Sequence, residues 1–358
     1  MHTKSSVQVK PRVALVGCGA VVQQYYVPTL SLLERGGTLE VSALCDPDAA
    51  MRARVRHSFS RARELQDFTD VQQVDAELVI LASPPRFHAA QATELLRQGR
   101  AVLCEKPLAA SAAEAQMMVD AAGAASGILA AGMLRRFFPA TQVIRDLLST
   151  GALGEIVSFD IQEGTRFHWP VSSPAYFTKR SSAGGVLMDI GAHALDLLIW
   201  WLGEPIETLY EDDAMGGVEA NCRLRCRFGG GVSGEVRLSR DWDLANRYVL
   251  RGTRGAISWS VNEANRLELS LDSSPYTLNA QVEESRQAAA HFERAFISQI
   301  LNVLAAMRGE EPLQVHAADA LPSLRLIEHC YANRSLMPMG WLDPSEVARA
   351  TRLNAGIQ

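Results

Sequence analysis

The sequence of 358 residues has no long hydrophobic run and no cluster of basic residues. Its longest apolar stretch, residues 194–203, contains Asp196 and is too short to cross a bilayer. The formal net charge is −5, so the composition gives no support for nucleic-acid binding. These absences predict a globular protein that binds neither a membrane nor nucleic acid.

Cysteine is also scarce, and none of the six cysteines forms a C-x-x-C pair. Most of them lie inside apolar runs, which favours reduced thiols in a cytoplasmic protein. Gly17-Cys18 follows a basic N-terminus, as a lipoprotein cleavage site would. Only residues 13–16 precede it as an apolar core, well short of the roughly 7–15 residues of a signal peptide. A buried strand is the better interpretation.

The first 132 residues alternate short apolar runs with helix-like segments. Unbroken apolar runs are typical of parallel strands buried on both faces, and this alternation predicts a doubly wound parallel sheet. We therefore expect one domain over residues 1–132 and a second over residues 133–358. The predicted strands are residues 13–16, 39–45, 78–82, 101–104 and 128–131.

A glycine-containing turn follows the first predicted strand. Gly17 permits a tight turn, and Gly19 lets the backbone approach a pyrophosphate at a helix N-terminus. Val22 occupies the position of the third glycine in the usual fingerprint, so the match is G-x-G only. The predicted cofactor contacts in this turn are Gly17, Gly19, Ala20, Val21 and Val22.

The second and third predicted strands also end in candidate ligand contacts. Asp46 ends the second strand, where a carboxylate would hold the ribose hydroxyls of NAD and repel the extra phosphate of NADP. Its alternative role is the N-cap of the helix after Pro47, and the two roles are compatible. Because ligands bind at the carboxyl ends of such strands, we expect cofactor contacts from Ser83, Pro84 and His88.

A helix predicted from the pair Gly184-Gly185 to about Leu202 carries three titratable residues on one face. Asp189, His193 and Asp196 stand at positions i, i+4 and i+7. Burying an imidazole between two carboxylates on an apolar helix is costly without a purpose. The alternative is a core histidine beside two capping or salt-bridging aspartates, and for Asp196 a purely structural role stays open.

Glu105-Lys106-Pro107, the Asp189-x-Gly-x-His193-x-x-Asp196 pattern and the Gly17 turn together resemble one family. It is the glucose–fructose oxidoreductase, inositol dehydrogenase and rhizopine-catabolism (Gfo/Idh/MocA) family of NAD(P)-dependent oxidoreductases. The resemblance spans almost the whole chain. It implies an N-terminal Rossmann domain and a C-terminal α+β domain with an open, mainly antiparallel sheet. Ala183 stands where a third glycine often precedes the second motif.

The resemblance implies hydride transfer between a nicotinamide and a secondary alcohol or ketone of a sugar, nucleotide sugar or cyclitol. Asp46 makes NAD the expected cofactor rather than NADP. Lys106, His193 and Asp189 would serve the substrate, and Glu105 and Lys106 would also line the cofactor site. His193 would act as the general acid/base, Lys106 would stabilise the reacting oxygen, and Asp189 would orient the substrate or the imidazole. The alternatives are an NAD-binding sensor without turnover and an NAD-dependent glycosidase.

The second half of the chain predicts a substrate loop, an antiparallel sheet and terminal helices. Aromatic and hydrogen-bonding residues over 164–182 suit a sugar ring, with Arg166, Trp169 and Lys179 as candidates; the alternative is a surface loop. Cys222 and Cys226 alternate with arginines, which predicts a half-buried strand rather than a metal site. The arginine face is either solvated or a subunit contact, and the resemblance implies a homodimer or homotetramer through this sheet. We expect helical structure from about Gln281 to Met307 and a last helix over residues 316–334.

Overall fold

The computed structural model describes residues 10–170, 183–261, 263–282 and 292–356. Its first sheet has six parallel strands in the order β3-β2-β1-β4-β5-β6, which confirms the predicted doubly wound sheet. Strand order reverses between β1 and β4, and in such sheets the ligand crevice lies at the carboxyl ends beside this reversal. The strands are β1 (Arg12–Val16), β2 (Glu40–Cys45), β3 (Arg63–Leu65), β4 (Leu78–Leu81), β5 (Ala101–Cys104) and β6 (Leu129–Ala131).

The helices of this first layer begin where the sequence supplies a cap. Asp48 caps α2 by accepting a hydrogen bond from the Ala50 amide, and Ser111 caps α5 by accepting one from the Glu114 amide. A π-helical turn, Val22–Tyr26, leads directly into α1. The helices are α1 (Val27–Arg35), α2 (Ala49–Arg56), α3 (Phe68–Val71), α4 (His88–Arg97) and α5 (Ala112–Ala124).

The second sheet has nine strands in the order β14-β13-β12-β11-β7-β10-β9-β8-β15. It is mainly antiparallel, as expected, but β7 pairs with β10 and β8 with β15 in parallel. The strands are β7 (Ile156–Gly164), β8 (Glu207–Asp212), β9 (Asn221–Arg227), β10 (Ser233–Ser239), β11 (Arg247–Gly252), β12 (Gly255–Ser260), β13 (Arg266–Leu271), β14 (Thr277–Gln281) and β15 (Ser335–Leu336). Strands β8, β14 and β15 were not predicted; four of the five residues of β14 are exposed, so it lacks an apolar alternation.

Strand β9 shows how this sheet separates its two faces. Cys222 and Cys226 are buried, and Arg225 and Arg227 are exposed, as the alternation predicts. All six cysteines of the chain are free and buried. Gly230, with φ of +72°, lies in the turn that joins β9 to β10.

The helices of the second half are α6 (Pro139–Ser149), α7 (Val186–Leu202), α8 (Phe292–Met307), α9 (Leu321–Ala332) and α10 (Pro344–Asn354). The expectation of one last helix over residues 316–334 is wrong. A 3₁₀ turn, Ala317–Ala320, precedes α9, and α10 follows after a break. Asp343 starts α10 because its carboxylate accepts from the amides of Ser345 and Glu346. Among the described helices, none is long and apolar enough to span a bilayer.

The chain returns to the first sheet near its end. Phe296 of α8 stacks on Tyr25, with ring centroids 5.1 Å apart, and the Gln299 side chain donates to the Ala131 carbonyl. His316 forms an antiparallel bridge with Ala130 of β6. Helix α7 packs between the second sheet and α9.

Candidate active site

The Gly17 turn is built as the sequence predicts. Gly17 has φ of +93°, and a Cβ on it would lie 2.5 Å from the Ala82 carbonyl oxygen, so only glycine fits. A Cβ on Gly19 would have no described atom within 4 Å. The backbone at Gly19 therefore faces open space at a helix start, which fits the approach of a dinucleotide pyrophosphate.

The helix after this turn is distorted where the fingerprint departs from three glycines. Ala20 and Val21 open the helix, and the π-helical turn begins at Val22, which is fully buried. The side-chain amide of Gln23 donates to the Cys18 carbonyl at 2.7 Å and holds the turn. A valine in place of glycine at the helix–sheet contact is thus accommodated together with a wider helical turn.

Asp46 stands beside the Gly17 turn at the end of β2. Its Oδ2 accepts from the Cys18 amide at 2.8 Å and its Oδ1 from the Asp48 amide at 2.9 Å. The cap of α2 is Asp48, so the alternative role of Asp46 as that cap is wrong. Asp46 instead joins the end of β2 to the glycine turn.

The loop after β4 places Ser83 and Pro84 at the carboxyl edge of the sheet, but it turns His88 inward. The His88 side chain is only 1% exposed. Its Nε2 lies 2.7 Å from the Ser83 carbonyl, and its Nδ1 lies 3.2 Å from the carbonyls of Pro107 and Leu108. Burial lowers the pKa of His88. Both ring nitrogens therefore face protein carbonyls. This burial argues against the expected side-chain contact of His88 with a cofactor.

Glu105-Lys106-Pro107 follows β5 at the same edge. The buried Glu105 carboxylate accepts from the Tyr26 hydroxyl at 2.8 Å and from the Lys106 amide at 3.1 Å. Burial raises the pKa of Glu105, and its hydrogen bonds and the Lys106 charge oppose that rise. The Lys106–Pro107 peptide is cis. Glu105 thus ties the start of this motif to the helix of the glycine turn.

The glycine pair before α7 is required by close packing. A Cβ on Gly184 would lie 2.3 Å from the Tyr331 hydroxyl, and one on Gly185 would lie 2.2 Å from the Glu219 carbonyl. The Glu219 carboxylate, 1% exposed, accepts from the amides of Gly185 and Leu187. A distant carboxylate therefore caps this helix, and nothing in the local sequence around α7 signals it.

Two segments of the chain meet in front of this helix. The Lys106 ammonium lies 2.7 Å from Asp189 Oδ1 and also donates to the Asp189 carbonyl at 3.2 Å. His193 lies one turn further along α7 and is half-buried. The motifs after β5 and within α7 are thus brought together, as their joint resemblance implied.

The His193 ring makes no hydrogen bond among the described contacts, and its Nδ1 is buried. Its pKa lies well below the usual value because burial disfavours the imidazolium, and the charges of Lys106 and Arg135 lower it further. The Asp189 carboxylate makes no hydrogen bond with the His193 ring among the described contacts. An orphaned, neutral imidazole at such a position is available to a ligand.

Asp196 belongs to the core. It is 2% exposed, and its two oxygens accept from Nε and Nη2 of Arg136 at 2.9 and 2.7 Å. The salt-bridging alternative therefore holds for Asp196, although it shares a helix face with Asp189 and His193.

Sequence reasoning missed two arginines next to these residues. Arg240, one residue beyond β10, donates to Asp189 Oδ2 at 3.2 Å and to the Gly185 carbonyl at 3.0 Å. Arg135 forms a buried bidentate pair with Glu163, which also accepts from the Tyr248 hydroxyl. Neither arginine stands in a local pattern that separates it from the exposed arginines of the same region.

The candidate substrate loop is described only in part. Trp169 stacks on Tyr25, with centroids 5.9 Å apart, so it reaches the helix of the first sheet. Arg166 is exposed, and its backbone amide donates to Asp243. Lys179 lies outside the described residues.

The site combines a glycine turn at the switch point of a Rossmann sheet with an ammonium, a carboxylate and an imidazole in front of it. This combination is typical of NAD(P)-dependent oxidoreductases. Residues 11–133 match the oxidoreductase family with an NAD-binding Rossmann fold, and residues 141–258 match the GFO/IDH/MocA C-terminal domain. The chain belongs to the Gfo/Idh/MocA family and is an NAD(P)-dependent oxidoreductase. The resemblance inferred from its motifs is confirmed.

Individual relatives give the same result. The chain is 29% identical to the rhizopine catabolism protein MocA of Rhizobium meliloti over 64% of this chain and 71% of that protein. It is 31% identical to a D-glucoside 3-dehydrogenase of Escherichia coli K12 over 56% and 57% of the two chains.

Two solved structures share the fold. A levoglucosan dehydrogenase in complex with NADH and levoglucosan superposes with a TM-score of 0.79 at 18% identity, covering 91% of this chain and 97% of that one. A 3-ketoreductase of Actinomadura kijaniata in complex with NADP superposes with a TM-score of 0.77 at 20% identity, covering 92% of this chain and all of that one. Bound cofactors in these structures include both NADH and NADP.

Proposed function

We propose that this oxidoreductase transfers a hydride between NAD and a secondary alcohol or ketone of a sugar, nucleotide sugar or cyclitol. The observation that carries the proposal is the 2.7 Å contact of Lys106 with Asp189, with His193 one helical turn away. Relatives named for D-glucoside and levoglucosan oxidation support the carbohydrate class. This set of side chains also favours an enzyme over a sensor without turnover.

The Gly17 turn fits a nicotinamide dinucleotide, because Gly19 leaves its helix start open. When bound, the nicotinamide supplies or accepts the hydride. Asp46 would hold the ribose hydroxyls, which favours NAD, since its charge would repel the 2′-phosphate of NADP. The residues assigned to the cofactor are Gly17, Gly19, Ala20, Val21, Val22, Asp46, Ser83, Pro84, Glu105 and Lys106. His88 would act only by holding the Ser83 loop against Pro107.

His193 would handle the proton. Its lowered pKa keeps the imidazole neutral at physiological pH, so it can accept the proton of a substrate hydroxyl during oxidation and return it during reduction. Lys106 uses two N–H groups on Asp189, which leaves one for the substrate oxygen and its developing negative charge. Asp189 would therefore orient Lys106 rather than the imidazole. Arg166, Trp169 and Lys179 stay candidate substrate contacts.

The proposal extends to the compartment, the domain division and the oligomeric state. Free, buried cysteines suit a reducing compartment, which fits the cytoplasm. A domain division after residue 132 is supported by the end of β6 at Ala131, although residues 292–320 return to the first sheet. We also propose a homodimer or homotetramer through the nine-stranded sheet.

The test is a screen for NAD reduction over sugars and cyclitols, with nucleotide-linked ketosugars tested in the reducing direction. We expect NADH formation with at least one carbohydrate. Cleavage of a sugar bond without net NADH would instead indicate a glycosidase. The absence of any turnover with bound NAD would indicate a sensor.

Replacing the ammonium tests the assigned roles. Lys106→Met should lower kcat at least about a hundredfold, because the substrate oxygen loses its donor. Removal of this charge also raises the pKa of His193 towards its usual value, so the acidic limb of kcat/KM for oxidation should move to higher pH. Lys10→Met, on an exposed lysine, is the control. Normal turnover by Lys106→Met would contradict the assignment.

A further inference from the structure

Arg240 occupies a position that only the tertiary structure creates. It follows β10, and its backbone is paired on both sides: its amide donates to the Ala220 carbonyl, and its carbonyl accepts from the Phe167 amide. Its side chain is 7% exposed. The backbone of Arg240 is therefore fixed at the edge of the proposed active site.

The guanidinium joins two points on the first turn of α7. It donates to the Gly185 carbonyl at 3.0 Å and to Asp189 Oδ2 at 3.2 Å. The Gly185 carbonyl is also the acceptor of the Asp189 amide, so both contacts fix the same helical turn. A planar guanidinium can serve two such acceptors at once, whereas an ammonium on a flexible stem is less suited to this.

The Asp189 carboxylate is thereby divided between two cations. Oδ2 faces Arg240, and Oδ1 receives the Lys106 ammonium at 2.7 Å. Loss of the Arg240 contact would let the carboxylate rotate about its χ2 angle and turn Oδ1 away from the Lys106 ammonium.

We infer that Arg240 is a positioning residue for hydride transfer: it holds Asp189 so that Lys106 presents its remaining N–H to the substrate oxygen. This inference rests on the proposed function, because it assigns Arg240 to the same site. It assigns Arg240 no contact with the substrate.

The first test is a double-mutant cycle of Arg240→Met and Asp189→Asn, measured on the best carbohydrate from the screen. We expect Arg240→Met to lower kcat about ten- to a hundredfold, with the dissociation constant of NADH changed less than about threefold. In the Asp189→Asn background the same change should cost less than about threefold, because the hold of the Asp189 carboxylate on Lys106 is already lost there. Arg240→Lys should recover part of the loss. Independent, multiplying effects, or a normal kcat, would overturn the inference.

The matched control is Arg237→Met, on the strand β10 that Arg240 follows. Arg237 is partly exposed and pairs with Glu235 at 3.1 Å and Asp160 at 3.4 Å on the other face of the sheet. Its removal should leave kcat and the NADH dissociation constant unchanged. Thermal melting of every variant separates a loss of folding from a loss of positioning, and Arg240→Gln replaces Arg240→Met if the latter does not fold.

A crystal structure of the Arg240→Met variant gives a readout that needs no substrate. We expect the Lys106 ammonium to leave hydrogen-bonding distance of Asp189 Oδ1. An unchanged contact would overturn the inference even if the enzyme is active. If the wild-type protein oxidised no carbohydrate, the proposed function would fail, and this structure would still decide whether Arg240 positions Lys106.

Discussion

Asp189 and Asp196 have similar surroundings in the sequence and different positions in the structure. Both lie on one face of α7, seven residues apart. Asp189 faces Lys106 and Arg240, whereas Asp196 is buried against Arg136. What separates them is the distant residue that each one meets. The carboxylate near the start of α7 is 26% exposed, and the one two turns later lies in the packed core.

A second residue-scale contrast, between Asp46 and Asp48, allows a test of cofactor choice. Asp46→Ala should weaken NAD binding about tenfold, because charge-assisted bonds to the ribose are lost, and should raise the ratio of NADP to NAD affinity. Fluorescence titration with NADH and NADPH measures both constants. Asp48→Ala is the control, since Asp48 caps α2 and should leave the ratio unchanged. An unchanged ratio in Asp46→Ala would remove Asp46 from the ribose site.

At the scale of elements, α7 depends on residues far from it in the chain. Glu219 caps its first turn, Tyr331 supports that carboxylate at 2.7 Å, and Arg240 holds the Gly185 carbonyl. The helix that presents Asp189 and His193 is therefore positioned by β10, by the segment before β9 and by α9. The close packing of these residues against the start of α7 explains why the sequence has the pair Gly184-Gly185 there.

Gly185→Ala tests the crowding directly. A Cβ 2.2 Å from the Glu219 carbonyl must displace the backbone, so the free energy of unfolding should fall by about 2–3 kcal/mol, and kcat should fall with it. Gly123→Ala is the control: it lies in α5 with no atom within 4 Å of the new Cβ, and it should raise stability by up to about 1 kcal/mol. Urea denaturation measures the free energy of unfolding of both variants. Equal stability of Gly185→Ala and the wild type would contradict the close packing.

At the scale of the whole molecule, helices α6, α7 and α9 pack on one face of the nine-stranded sheet. The opposite face carries rows of arginine and glutamate, such as Arg225 beside Glu211 at 3.1 Å, and the 50% exposed Leu209. Mixed charges and an exposed leucine over several strands suit a self-complementary contact between subunits.

Charge reversal on this face tests the oligomer. We expect light scattering to give two or four chains for the wild type, and a smaller assembly for Arg225→Glu combined with Arg227→Glu, because like charges would then face each other. Arg308→Glu, which breaks an exposed pair with Glu310 elsewhere, should leave the mass unchanged. A wild-type mass of one chain would contradict the proposal.

The sequence by itself determined the parts of this protein that depend on local pattern. Short apolar runs defined the parallel strands, the Gly17 turn followed from glycine's access to positive φ, and the face shared by Asp189 and His193 followed from helical periodicity. The joint motifs Glu105-Lys106-Pro107 and that helix face were enough to identify the family.

Only the tertiary structure decided which partners these residues meet. It buried His88 against three carbonyls, gave Asp196 to Arg136, and brought Arg240 and Glu219 to the start of α7. The physical reason is that hydrogen bonds and ion pairs depend on distances of about 3 Å between groups. Chain folding sets those distances among residues that can stand 50 or more positions apart, where no local periodicity records them.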